Sequence, residues 1–108
     1  MNEASLKVLL KTTGLPVAYH HFTATDKTPI PAPPYIVYLF SNSNNFGADN
    51  KVYSKANNYQ VELYTTKKDT ASELLIEDLF DANDIYYEKT ETWIESENLY
   101  QVLYEIEI

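Results

Sequence analysis

The chain has 108 residues, 44% of them hydrophobic and 14% aromatic, which is enough for one core and too little for two ordinary domains. It contains no cysteine, so disulfides, thiolate metal sites and cysteine nucleophiles are excluded. The net charge is -8 and every basic residue among the eight is lysine, so the chain lacks the arginines that make bidentate contacts to phosphate and guanine, and sequence-specific nucleic-acid binding is not expected.

The charge is unevenly placed. Residues 1–54 hold four lysines against three acids, or +1, and residues 55–108 hold four against thirteen, or -9. Excess acid serves solubility; it also suits a surface that passes close to a polyanion without holding it. No run approaches the roughly 18 apolar residues of a membrane helix. The opening "MNEASLKVLLKTTG" carries Glu3 ahead of a short apolar cluster, unlike a secretory leader. A soluble intracellular protein without a membrane partner is expected.

In chain order, residues 3–12 place Leu6, Leu9 and Leu10 on one helical face with Val8 toward its edge, and Gly14 and Pro16 stop the helix. "VAYHHF" (17–22) has the β-branched and aromatic residues of a short strand. Four of the six residues in 29–34 are proline, which predicts a stiff extended connector. "YIVYLF" (35–40) is continuously apolar, as in a strand covered on both faces. Residues 41–54, "SNSNNFGADNKVYS", are polar and turn-rich, predicting a long loop with room for a short strand at Lys51 to Ser54.

"YQVELYT" (59–65) alternates Tyr59, Val61 and Leu63 with Gln60, Glu62 and Tyr64, the pattern of a half-buried strand. Thr70 and Glu73 form a capping-box pair ahead of an apolar stripe of Leu74, Leu75, Ile76, Leu79 and Phe80, predicting a second helix to about Asp81. Residues 85–94 and 99–108, separated by "ESEN", read as a terminal hairpin with Tyr100, Val102, Tyr104, Ile106 and Ile108 on one face. The order α-β-β-β-α-β-β describes a single α+β domain over 1–108, a mainly antiparallel sheet with both helices packed on one face.

Catalytic and metal-binding patterns are scarce. His20 and His21 are the only histidines, and neighbours on a strand point to opposite faces, so a shared metal is not expected there. Glu73, Glu77, Asp78 and Asp81 recur at helical spacing with no basic residue beside them, which predicts the solvated face of the second helix. No glycine-flanked nucleophile elbow is present, and the two glycines, Gly14 and Gly47, cannot build a phosphate loop. The expectation is a protein without catalytic, cofactor or metal sites. The ten tyrosines are mostly strand residues; those on polar sides of strands, Tyr64 and Tyr86, are candidate interface anchors.

Taken together, "PPYIVYLF", "NNFGADNKVYSKANNYQVELYTTKKD", an acidic helix and "IYYEKTETWIESENLYQVLYEI" resemble the small tail-completion or tail-terminator proteins of long-tailed bacteriophages and prophages of Gram-positive bacteria. The likeness runs from about Leu15 to Ile106. It implies a virion structural subunit that forms a ring, a hexamer in that family, caps the tail tube and meets the head connector, and is assembled in the host cytoplasm. Within that implication the 41–54 loop is an arm contacting a neighbouring subunit or the tube protein, with Phe46 as anchor and Gly47 as bend, and Asn45, Asp49 and Tyr53 beside them. A loop without a partner is the alternative for this segment. For the whole chain, the alternatives are a head-closure or connector component and an unrelated small α+β binding module.

Overall fold

The computed structural model describes residues 1–25, 27–43, 46–48, 51–54 and 56–108, with the backbone alone over 46–48 and 51–54. The elements are α1 (Glu3–Lys11), β1 (Val17–Tyr19), β2 (Tyr35–Ser43), β3 (Phe46–Ala48), β4 (Lys51–Ser54), β5 (Asn57–Thr65), α2 (Thr70–Ala82), β6 (Tyr87–Ile94) and β7 (Leu99–Glu107). Five strands form one sheet in the order β1-β2-β5-β7-β6, and β3 pairs with β4 in a separate hairpin. Only β1 and β2 run parallel; the other pairs are antiparallel. This is the expected α+β architecture, with the added hairpin.

The core follows from strand alternation. Ile36 and Tyr38 on β2 lie opposite Leu63 and Val61 on β5, which lie opposite Val102 and Tyr104 on β7, so all share one sheet face. Leu6 and Leu10 of α1 and Ile76 and Phe80 of α2 pack into the same cluster, which places both helices on that face. Phe80 meets the Tyr104 ring edge-on, with centroids 5.7 Å apart at 77°. Asn2 caps α1 by accepting from the Ser5 amide at 2.8 Å, and Gly14, with φ +82, turns the chain away after the helix.

Several boundaries differ from expectation. β1 ends at Tyr19 because His20 takes a left-handed conformation, φ 65, so residues 20–22 leave the strand. The proline-rich connector then supplies the long crossover that two parallel strands require, and its preceding Phe22 packs on Tyr35, with ring centroids 5.2 Å apart. Val37, on the sheet face away from the helices, is buried like its neighbours Ile36 and Tyr38, in keeping with the unbroken apolar run. Ser41–Ser43 continue β2 instead of starting a loop, and the register slips between Phe40 and Asn42. Across that bulge Asn58 Nδ2 donates to Asn42 Oδ1 at 2.7 Å.

α2 is rotated from the expected stripe. Its N-cap is Asp69, not Thr70: the Asp69 carboxylate accepts from the Ser72 amide at 3.0 Å and from the Ser72 hydroxyl at 2.8 Å. Ser72, Glu73, Ile76 and Phe80 face inward, while Leu74 and Leu75 are 54% and 44% exposed. The physical reason is that Glu73, released from capping, finds Lys89 on the sheet beneath the helix and Lys68 in the turn before it.

Candidate functional site

The two faces of the sheet have different chemistry. Beneath α2, Lys89 is the one lysine on the strands of the five-stranded sheet, and alternation aims it at the helix. Its ammonium donates to Glu73 Oε1 at 2.6 Å and to Glu77 Oε2 at 2.8 Å. Glu77 also accepts from the hydroxyls of Tyr104 at 2.7 Å and Tyr87 at 3.2 Å. Lys68, in the turn before α2, bridges Glu73 at 2.9 Å and Glu91 at 2.7 Å.

Burial is the largest single influence on the Glu73 and Glu77 carboxyls and pushes them up, but the bonds from Lys89, with Lys68 on Glu73 and Tyr104 on Glu77, outweigh it and leave both below the ordinary value. Desolvation lowers Lys89, and the same two glutamates reverse the sign and raise it. All three groups are therefore held charged. No side-chain polar atom in the buried regions described lacks a partner, so the cluster is satisfied and works as a clamp joining helix to sheet. Glu73 and Glu77 thus depart from the expected solvated helix face, whereas Asp78 and Asp81 remain exposed. The sequence signal for this cluster is Lys89 itself, in phase with Tyr87 and therefore on the inward side of its strand.

The opposite, open face is one-signed. Val37 and Leu103 flank Glu62; Gln60 and Glu88 flank Glu105; Asn58 lies opposite Glu107. Among the described residues, four glutamates and no lysine stand on the strands of that face. Glu88 lies directly opposite Glu105, an arrangement that costs stability. At this end of the face is a half-open cleft of about 380 Å³ whose lining includes Asn58, Gln60, Tyr86, Glu88, Glu105 and Glu107.

The expected interface residues fall into three groups. Tyr86, at 77% exposure, is the most exposed large hydrophobic side chain among the described residues, and its hydroxyl donates to Glu88 at 3.3 Å. Tyr64 lies on the open face as expected but is not a free anchor. Its hydroxyl accepts from Gln101 Nε2 at 2.9 Å and donates to Glu62 at 2.9 Å, and its ring lies 5.3 Å from that of Tyr35. Burial and the neighbouring Glu62 carboxylate push the Tyr64 phenol up to about 12. Phe46, Gly47 and Tyr53 sit on the β3–β4 hairpin, where Phe46 pairs with Ser54 and Gly47 with Val52; their side chains, and the whole of Asn45 and Asp49, lie outside the described residues.

The histidines differ from expectation in geometry. Because His20 leaves the strand, the two rings meet, Nδ1 to Nδ1 at 2.9 Å, instead of facing opposite ways. No group of three or more metal-ligating side chains occurs among the described residues, and no helix there is long and apolar enough to cross a membrane. No protein-family model matches the chain, and no curated protein matches it.

Proposed function

We propose that this chain is a structural subunit of a long-tailed phage virion, a tail-terminator or tail-completion protein that caps the tail tube and joins it to the head connector. The observation that carries the reading is the one-signed open sheet face: Glu62, Glu88, Glu105 and Glu107, with no lysine on the described strands of that face, in a chain without arginine. A passage for a genome must let phosphates by without holding them, and fixed carboxylates repel a polyanion over about 10 Å at moderate salt. Copies of the chain form the ring, hexameric in the tail-completion proteins it resembles, with the open face toward the lumen. Tyr86 and the β3–β4 hairpin serve contacts to neighbours, tube protein and connector. No catalytic step, cofactor or membrane enters this role, which runs from assembly in the host cytoplasm to the head–tail junction of the finished particle.

The test is mass by light scattering over a wide concentration range, with and without purified tail-tube protein. Rings alone, or rings formed only when tube is present, support the reading. A monomer or dimer whose mass is indifferent to tube protein overturns it in favour of a head-closure component or a small binding module.

A further inference from the structure

β6 is an edge strand of eight residues, Tyr87–Ile94, paired on one side by β7 and by no other described element. It contains neither proline nor a register slip against β7, so its outward amides and carbonyls form an uninterrupted template. Its charges, Glu88, Lys89 and Glu91, deter pairing with an arbitrary strand and leave one arrangement in which they match.

We propose that β6 pairs with β6 of a second copy, antiparallel and centred on Thr90, joining two sheets into one across a two-fold axis. Such an axis stands perpendicular to the sheet and keeps each face on its own side, so only residues of like parity meet. Centred on Thr90, Lys89 lies opposite Glu91 of the second copy, twice by symmetry; Tyr87 meets Trp93; Glu88 meets Thr92; Thr90 meets Thr90. Centring on residue 89 or 91 instead sets lysine against lysine or glutamate against glutamate, and centring on 88 does the same for Glu88. Centring on 92 leaves only residues 90–94 paired within the strand.

The surrounding contacts extend the match. Lys89 and Glu91 keep 35% and 39% of their side chains exposed while bonded within their own chain. Across the seam the signs alternate: Lys68 on Glu91 at 2.7 Å in one copy, then Lys89 of the second copy on its own Glu73 and Glu77. Trp93, 44% exposed and resting on Tyr100 with centroids 4.7 Å apart, gains the Tyr87 ring. A two-fold contact closes at two copies, whereas a ring is built from head-to-tail contacts. The seam therefore goes beyond the head–tail reading and stands or falls without it.

The chain has no cysteine, so single introduced thiols report the register. Directly opposed residues have Cα atoms about 4.5–5.5 Å apart, within disulfide reach. In the proposed register two copies of residue 92 lie about 13 Å apart along the strands, beyond it. Thr90→Cys in oxidised glutathione is expected to give a covalent dimer in high yield, and Thr92→Cys little; sedimentation of the unmodified chain should show a monomer–dimer equilibrium. Glu91→Lys should weaken that equilibrium about tenfold or more while circular dichroism stays unchanged. A strict monomer, including one that pairs only with a strand of another protein, overturns the proposal. So do equal cross-linking at both positions, preferential cross-linking at 92, and a dimer that Glu91→Lys leaves intact.

Discussion

Lys89 shows how one side chain can hold a helix in register. With Lys89 in place, two glutamates sit charged beneath α2; without it, Glu73, whose side chain is 4% exposed, retains only Lys68. Lys89→Met should destabilise the fold by about 3 kcal/mol in urea unfolding at neutral pH, since removing one partner strands a buried charge. Tyr104→Phe removes a single charge-assisted bond to Glu77 and should cost about 1–2 kcal/mol. The pH dependence has a definite sign. Glu73 and Glu77 lie below their ordinary 4.5 in the folded chain, so their contribution is present above 4.5 and is lost as pH falls through the lowered values. Lys89 is raised above 10.5, so its contribution is full below that value and is lost as pH climbs through the raised one. The stability gap between the parent chain and Lys89→Met, read by urea unfolding, should therefore narrow as pH falls through the lowered glutamate values.

At the scale of elements, the N-terminus of α2 and the β6–β7 ladder pull in opposite directions. Asp69 satisfies the first turn through Ser72 and places a negative charge at the positive end of the helix, which holds its own carboxyl below the ordinary value, mainly through the Ser72 amide. Asp69→Ala should cost about 1 kcal/mol; Thr70→Ala, which leaves the cap untouched, should cost a few tenths. The pair Glu88 and Glu105 is a local conflict, two carboxylates directly opposed on adjacent strands. Glu88→Gln should raise stability by a few tenths of a kcal/mol, read as a higher denaturation midpoint with an unchanged slope. A native sequence keeps such a conflict where the surface charge serves another end.

For the whole molecule, the relevant property is the separation of charge: glutamates paired with lysines beneath α2 and, among the described residues, glutamates without lysine partners on the open face. If that face keeps phosphates away, the unmodified chain should not be retained on duplex DNA at low salt. The triple variant Glu62→Lys, Glu88→Lys and Glu105→Lys should be retained, and released as salt rises. Retention of the unmodified chain on the same column would remove the repelling-lumen argument.

The sequence alone determined the two helices, the existence of the five strands of the main sheet and most of the core, but not the strand at Phe46–Ala48. Period-two alternation in Tyr59–Thr65 and in the C-terminal strand, the apolar run at 35–40, and the Leu6/Leu10 spacing each select a buried face through local geometry, and the structure buries those faces. What only the tertiary structure decided were contacts between residues far apart in the chain. Strand order, the rotation of α2 that turns Glu73 inward and Leu74 outward, and the meeting of Lys89 with Glu73 and Glu77 depend on which strand lies beneath the helix. The same holds for Tyr64, whose position on the open face is legible from alternation, while its capture by Gln101 and Glu62 requires β5 and β7 to be neighbours. Periodicity reports which way a side chain points; its partner across the chain is set by packing, which no local pattern encodes.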